Sequence, residues 1–260
     1  MALPLHRISL FYMLLLLLAS GCSVVYTPTM QNVPLMQEKG DLKMVLNPNN
    51  LQAAYAVSDH IAVMANGSYN RTKWTISDSS NTTPHTYKPY RYNLEAAVGY
   101  YRPVIEKVFM EVYGGAGFGH THLHNHPIFV GNTSDEPEEQ HRLFSADNRK
   151  IFIQPTIGLS EDVVELSISS RLVAQQFRNV STTYSDWYLE HNQLANVDQH
   201  THLFVEPCFT LRVGFKWVKF QTQAIYSAKI SRPELAYKPV QLNFALQFNL
   251  SKQNRAILFR

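Results

Sequence analysis

From Asp41 onward, apolar and polar residues alternate with a period of two, and no helical period interrupts them. The last stretch shows it best. Val240, Leu242, Phe244, Leu246, Phe248 and Leu250 share one face, and Gln241, Asn243, Ala245, Gln247 and Asn249 share the other. Val164, Leu166 and Ile168 oppose Glu165, Ser167 and Ser169 in the same way, as Val205, Phe209, Leu211 and Val213 oppose Glu206, Cys208, Thr210 and Arg212. Such a strand meets an apolar medium on one side and a polar one on the other.

The pattern predicts about ten strands, at 41–47, 50–57, 61–70, 90–101, 107–119, 150–160, 163–175, 202–213, 216–228 and 239–250. Ser58-Asp59-His60, Arg102 to Glu106, Glu161-Asp162 and Gly214-Phe215 read as tight turns. Between them lie polar loops at 71–89, 120–149 and 176–201, with a shorter one at 229–238. This alternation of short and long connections places the long loops at one end and both chain termini at the other. Pro155 and Pro207 fall on the apolar parity of their strands, inside a weak repeat of 152–159 and 204–211, and predict local bulges.

The fold class expected is all-β: an antiparallel up-and-down barrel over 41–250, of the outer-membrane type, with a C-terminal tail at 251–260. A soluble, lipocalin-like barrel holding an apolar ligand shares the alternation but reverses its faces. Strand lengths, one-sided loops and aromatics near strand ends (Tyr69, Tyr90, Tyr100, Tyr101, Trp217, Tyr226) favour the membrane form. In that form Glu95, Glu111, Glu165, Arg171, Glu206 and Arg212 point inward, where isolated charges are costly and a network is expected.

The first residues have a different character. His6 and Arg7 precede an apolar run from Ile8 to Ala19, and small residues Ala19, Ser20 and Gly21 precede Cys22. The strongly apolar part, Phe11 to Leu18, is far short of the roughly 20 residues of a spanning helix. The stretch reads as a lipoprotein signal peptide over 1–21, cut before Cys22, which then carries acyl chains such as palmitate. Residues 22–40 read as a lipid-anchored tether. With Cys22 acylated, Cys208 has no internal partner. Of 23 basic and 20 acidic residues the leader removes only Arg7, so the remaining +2 gives no case for nucleic acid.

Gln31-Asn32-Val33-Pro34-Leu35, Glu38-Lys39-Gly40-Asp41, Leu51 to Ile61 and Met64 to Ser68 resemble a group of Bacteroidota envelope lipoproteins. The resemblance implies an outer-membrane barrel and no particular activity. Surface-exported lipoproteins of that phylum often carry acidic residues after the cysteine. Ser23-Val24-Val25-Tyr26 has none, so the resemblance implies acyl chains in the periplasmic leaflet, and the termini on the short-turn side of the barrel likewise read as periplasmic.

Chemistry is dispersed. No Gly-x-Ser-x-Gly, His-Glu-x-x-His or phosphate loop occurs, and no catalytic residue is assigned. A structural or binding module of the envelope is expected, in contact with membrane lipid and offering aromatic loops (Trp74, Phe129, Tyr184, Trp187, Tyr188) to an envelope or extracellular ligand. A hydrolase on the barrel rim is the alternative. His120, His122, His124 and His126 alternate at the top of a strand, with His200 and His202 at the matching height of another. Loosely held Zn²⁺, Cu²⁺ or Ni²⁺ is one reading of them, solvated loop residues the other.

Overall fold

The computed structural model describes residues 24–76, 85–125, 142–232 and 234–250. Its strands are β1 (Leu42–Asn47), β2 (Asn50–Ala56), β3 (Ile61–Arg71), β4 (Trp74–Ile76), β5 (His85–Tyr87), β6 (Tyr90–Ile105) and β7 (Val108–Asn125). They continue as β8 (Arg142–Ser160), β9 (Val164–Thr182), β10 (Thr201–Gly214), β11 (Val218–Tyr226), β12 (Ala228–Lys229) and β13 (Val240–Asn249). Antiparallel pairing runs through β1, β2, β3, β6, β7, β8, β9, β10, β11 and β13 and returns to β1, which closes a 10-strand barrel. The pair β4–β5 forms a separate hairpin, and β12 lies on β10. Among the described residues there is one short helix, α1 (Asp186–His191), which starts on Ser185 as its N-cap. The alternation gave no sign of it, because a single turn of helix has no period to show.

The ten barrel strands were recognisable from their alternation, whereas β4 and β5 fall in the stretch read as the 71–89 loop. β7 to β9 run further toward the long loops than expected, and β6 continues to Ile105 through residues read as a turn. β8 starts at Arg142, not 150, and β9 ends at Thr182, not 175. Pro155 pairs with Val112 and Pro207 with Ser170 without any shift of register, so the expected bulges do not form there. Losing one ladder bond at a proline costs less than a shift that turns every later side chain to the wrong face. The register shifts fall between Pro103 and Ile105, and between Ser145 and Asp147.

The two faces differ sharply in polarity. Outward positions are apolar and uncovered: Ile151 is 64% exposed, Ile168 63% and Phe244 57%. Inward positions are covered and carry the charges: Arg171, Glu111, Glu206 and Gln221 are all 0% exposed, with Tyr113, Phe152, Phe177 and Phe204 buried among them. Tyr69, Tyr92 and Tyr226 stand near the long-loop border of this wall, and Tyr100, Phe215 and Trp217 at the turn border. From Tyr92 to Tyr100 is about 27 Å along the strand, or about 20 Å along the axis of a barrel tilted by about 40°, close to the ~25 Å apolar band of an outer-membrane barrel.

Residues 24–40 overturn the expectation of a tether and of a terminus at the turn end. They run down the lumen. Arg91 donates to the carbonyl of Val24, and Val25 N donates to Ala236 O, both at the long-loop mouth. At the other end Gly40 N donates to Ala56 O, beside the turn that joins β2 to β3. The chain therefore enters the barrel at the long-loop end, fills it, and leaves at the turn end to begin β1. The physical cause lies in the inward side chains: their crowded polar groups need partners, and an irregular backbone supplies them.

Candidate functional site

The lumen holds two charge clusters, each completed by the plug. Toward the long-loop half, Glu95 pairs with Lys150 and with Arg171, the latter at 3.3 Å. The Thr29 hydroxyl donates to Glu95, and Arg171 donates to Gln154 Oε1 at 2.7 and 2.9 Å and lies 4.5 Å over the Phe152 ring. Near the turns, Glu165 pairs with Arg212 and Lys219 at 2.9 Å and with Lys43 at 3.8 Å. Surplus donors there end on plug carbonyls: Arg212 on Val33 O at 2.6 Å and Lys43 on Leu35 O at 2.7 Å.

The two remaining inward carboxylates bind the plug without an ion pair. Glu111 accepts from Leu35 N at 3.1 Å and from Met36 N at 2.6 Å. Leu35 has φ 51°, the left-handed conformation that aims successive N–H groups at one anion. Glu206 accepts from the Tyr26 hydroxyl at 2.6 Å and from Ser227 at 3.2 Å. Gln31 Nε2 reaches Glu206 O at 2.7 Å, and its backbone N donates to Gln223 at 2.9 Å. The wall makes room for this packing. A Cβ on Gly158 would stand 2.7 Å from the Leu35 side chain, so only glycine lets Leu35 pass.

The mouth is closed as well. Tyr184, Leu194, Val197 and Leu235 are buried in one cluster with Tyr26 and Phe204. Of the aromatic loop residues, Tyr184 stacks on Tyr188 at 4.5 Å inside this cap, whereas Trp187 is exposed and stacks on His191 at 5.1 Å. The Trp74 side chain and Phe129 lie outside the described residues.

His120, His122 and His124 share one face of β7, with the His122 and His124 rings 5.7 Å apart, but His200 and His202 do not join them. His202 points into the barrel, fully buried, with Nε2 3.1 Å from Val197 O and its ring against Phe177. His200 lies in the preceding loop, and Cys22 and His126 lie outside the described residues. His120, His122 and His124 continue the outward face of β7 above Phe118, on the opposite side of the wall from His202. Among the described residues no group of three His, Cys, Asp or Glu side chains could hold a metal ion. Equal height on two strands was not enough, because the parity of β10 turns His202 inward.

The outward row at the long-loop border carries a different constellation. Strand register sets Tyr69, Tyr92, His120 and Asp147 side by side, and Ser145 across from His122. His120 Nδ1 is 2.7 Å from Asp147 Oδ1, and the Ser145 hydroxyl is 3.1 Å from His120 Nε2. This pattern fixes the tautomer: Nδ1–H donates to the carboxylate and Nε2 accepts from the serine. Asn179 donates to Asp147 Oδ2 at 2.7 Å. Asn179 has φ 52° and sits where β9 shifts register against Ser145–Asp147, and this bulge turns its amide toward Asp147.

Ser145 and Asp147 were hidden in what read as a loop. The one available signal was that Ser145, Asp147 and Arg149 keep period two with Ile151 and Ile153.

No protein-family model matches the chain, and no curated protein sequence matches it.

Proposed function

We propose that this protein is a lipid-anchored, plugged β-barrel of the outer membrane with a structural or binding role in the envelope. One observation carries the reading: the wall exposes large apolar side chains all round and buries polar and charged ones inside. Soluble monomers rarely expose contiguous apolar patches beyond a few hundred Å². A lipocalin-like barrel needs the reverse arrangement and an open apolar interior. Here the lumen is filled. The void beside Val25, Tyr26, Arg91 and Lys150 amounts to about 10 Å³, room for one water at most, which also argues against a solute channel.

The anchor follows the plug. Cys22 lies two residues before Val24, which emerges at the long-loop mouth. Acyl chains on Cys22 then enter the leaflet beside the long loops, and not the one beside the turns. If the long loops face outward, as in barrels of this type, the lipid is at the cell surface.

Electrophoresis with and without boiling tests the reading. The folded barrel migrates as a distinct compact band in detergent until heated. A single band at all temperatures, from protein that remains in the aqueous phase when vesicles are floated, would refute it.

A further inference from the structure

We propose that Ser145, His120 and Asp147 form a hydrolytic site for the acyl esters of membrane lipids in the leaflet at the long-loop end. The proposal rests on the barrel spanning a membrane and adds an activity to it. Three features of the outward wall point the same way.

The first is the relay. Serine to imidazole at 3.1 Å and imidazole to carboxylate at 2.7 Å is the hydrogen-bonded order in which a hydroxyl becomes a nucleophile. The carboxylate is itself fixed by Asn179, and the imidazole is stacked between strands against Tyr90 and Tyr92 at 5.7 and 6.0 Å. The His120 side chain is 20% exposed and that of Asp147 44%, so substrate can reach the row.

The second is a groove that begins beside Asp147, next to the His120 and Ser145 positions. A depression of about 800 Å³ is bordered by Asp147 and Arg149 above and by Leu94, Phe118 and Ile151 on its sides. Its floor is the cross-strand pair Ala96 and Ala116, the small residues that make the dent. From the His120–Asp147 row to the Ala116–Ile151 row is about 14 Å along the strands, enough to seat part of an acyl chain.

The third is placement. The row lies at the tyrosine border of the apolar wall, where the ester linkages of a bilayer lie between hydrocarbon and headgroup. Arg149 is exposed beside the groove and offers a guanidinium to a headgroup phosphate. His122 pairs across the strands with Ser145 and stands beside the reacting hydroxyl, where its ring N–H is available to the oxygen that becomes negative.

The chemistry balances with water as the sole co-reactant. Ser145 Oγ attacks the ester carbonyl carbon while its proton passes to His120 Nε2. The tetrahedral adduct collapses, the carbon–oxygen bond to the lipid alcohol breaks, and His120 returns the proton to that alcohol. Water, deprotonated by His120, attacks the acyl-serine. The fatty acid leaves and Ser145 regains its proton.

The test uses the full chain refolded into phosphatidylethanolamine vesicles and, separately, into vesicles containing lipopolysaccharide, with released fatty acid measured by mass spectrometry. Release from either is expected, and which of the two reacts identifies the lipid. Ser145→Ala and His120→Ala abolish it. Asp147 is a positioning residue: Asp147→Asn lowers kcat on the order of 10³- to 10⁴-fold and changes the pH dependence of kcat/KM, which a merely structural pair would not do. All three variants are compared by heat modifiability. Wild type that floats with vesicles and shifts on boiling yet releases no fatty acid from either lipid overturns the site and leaves the membrane reading standing. Release unchanged by Ser145→Ala overturns it too. Wild type that stays in the aqueous phase overturns the membrane reading and, with it, the lipid substrate.

Discussion

Glu165 accepts from Lys219 and Arg212 at 2.9 Å and faces Lys43 at 3.8 Å, all inside the barrel. Glu165→Gln leaves three cations facing a neutral amide, and breaking a buried pair in this way costs about 3–5 kcal/mol. The temperature at which the folded band disappears on a gel should fall markedly. Lys107→Ala removes the exposed pair with Glu161 and should leave that temperature unchanged. Equal effects would contradict the network's role. That these charges point inward was legible, because period two assigns a face. Which charge meets which was not. Partners are set by register across long loops, and alternation leaves register open in steps of two. Ser145, Asp147 and Asn179 escaped for the same reason: their meeting with His120 depends on the pairing of β7, β8 and β9 and on a bulge.

The plug is the element that the sequence concealed. Thr29, Gln31, Asn32, Leu35 and Met36 are held by residues far along the chain, from Glu95 to Gln223, and no local pattern records such contacts. Regular strands satisfy their own backbone and so carry a period, whereas an irregular segment is specified by its surroundings. Deleting residues 24–36 should empty the lumen and leave Glu111 and Glu206 without their plug partners. We expect single-channel conductance in planar bilayers from the deletion and none from the full chain, together with a lower unfolding temperature. A deletion that conducts nothing and unfolds like wild type would show that the segment does not fill the barrel. Gly158→Val is a milder version, since its side chain would occupy the position of Leu35.

At the scale of the molecule, a barrel wall and a threaded plug fix one direction: Val24 and the long loops share a side, and the acyl anchor proposed at Cys22 goes with them. With a clickable palmitate analogue fed to cells, wild type should label and Cys22→Ala should not. In vesicles whose orientation is set by accessibility of the 183–200 loop to protease, a fluorophore clicked to that acyl chain should be quenched by dithionite added on the loop side. Quenching from the turn side alone would reverse the threading. The barrel class, the strand count and the inward charges all came from one period. The threading did not, because nothing in a two-residue pattern says what fills the space it encloses.

The membrane reading and the lipid-ester site both require the wall to face lipid. Single cysteines carrying a bimane at Leu242, Phe244 and Leu246, in a Cys22→Ser, Cys208→Ala background, should be quenched by brominated lipid in reconstituted vesicles. The same label at Gln241, Asn243 and Gln247 on the opposite face should not be quenched. Equal quenching of both sets, or of neither, would contradict a membrane-spanning barrel.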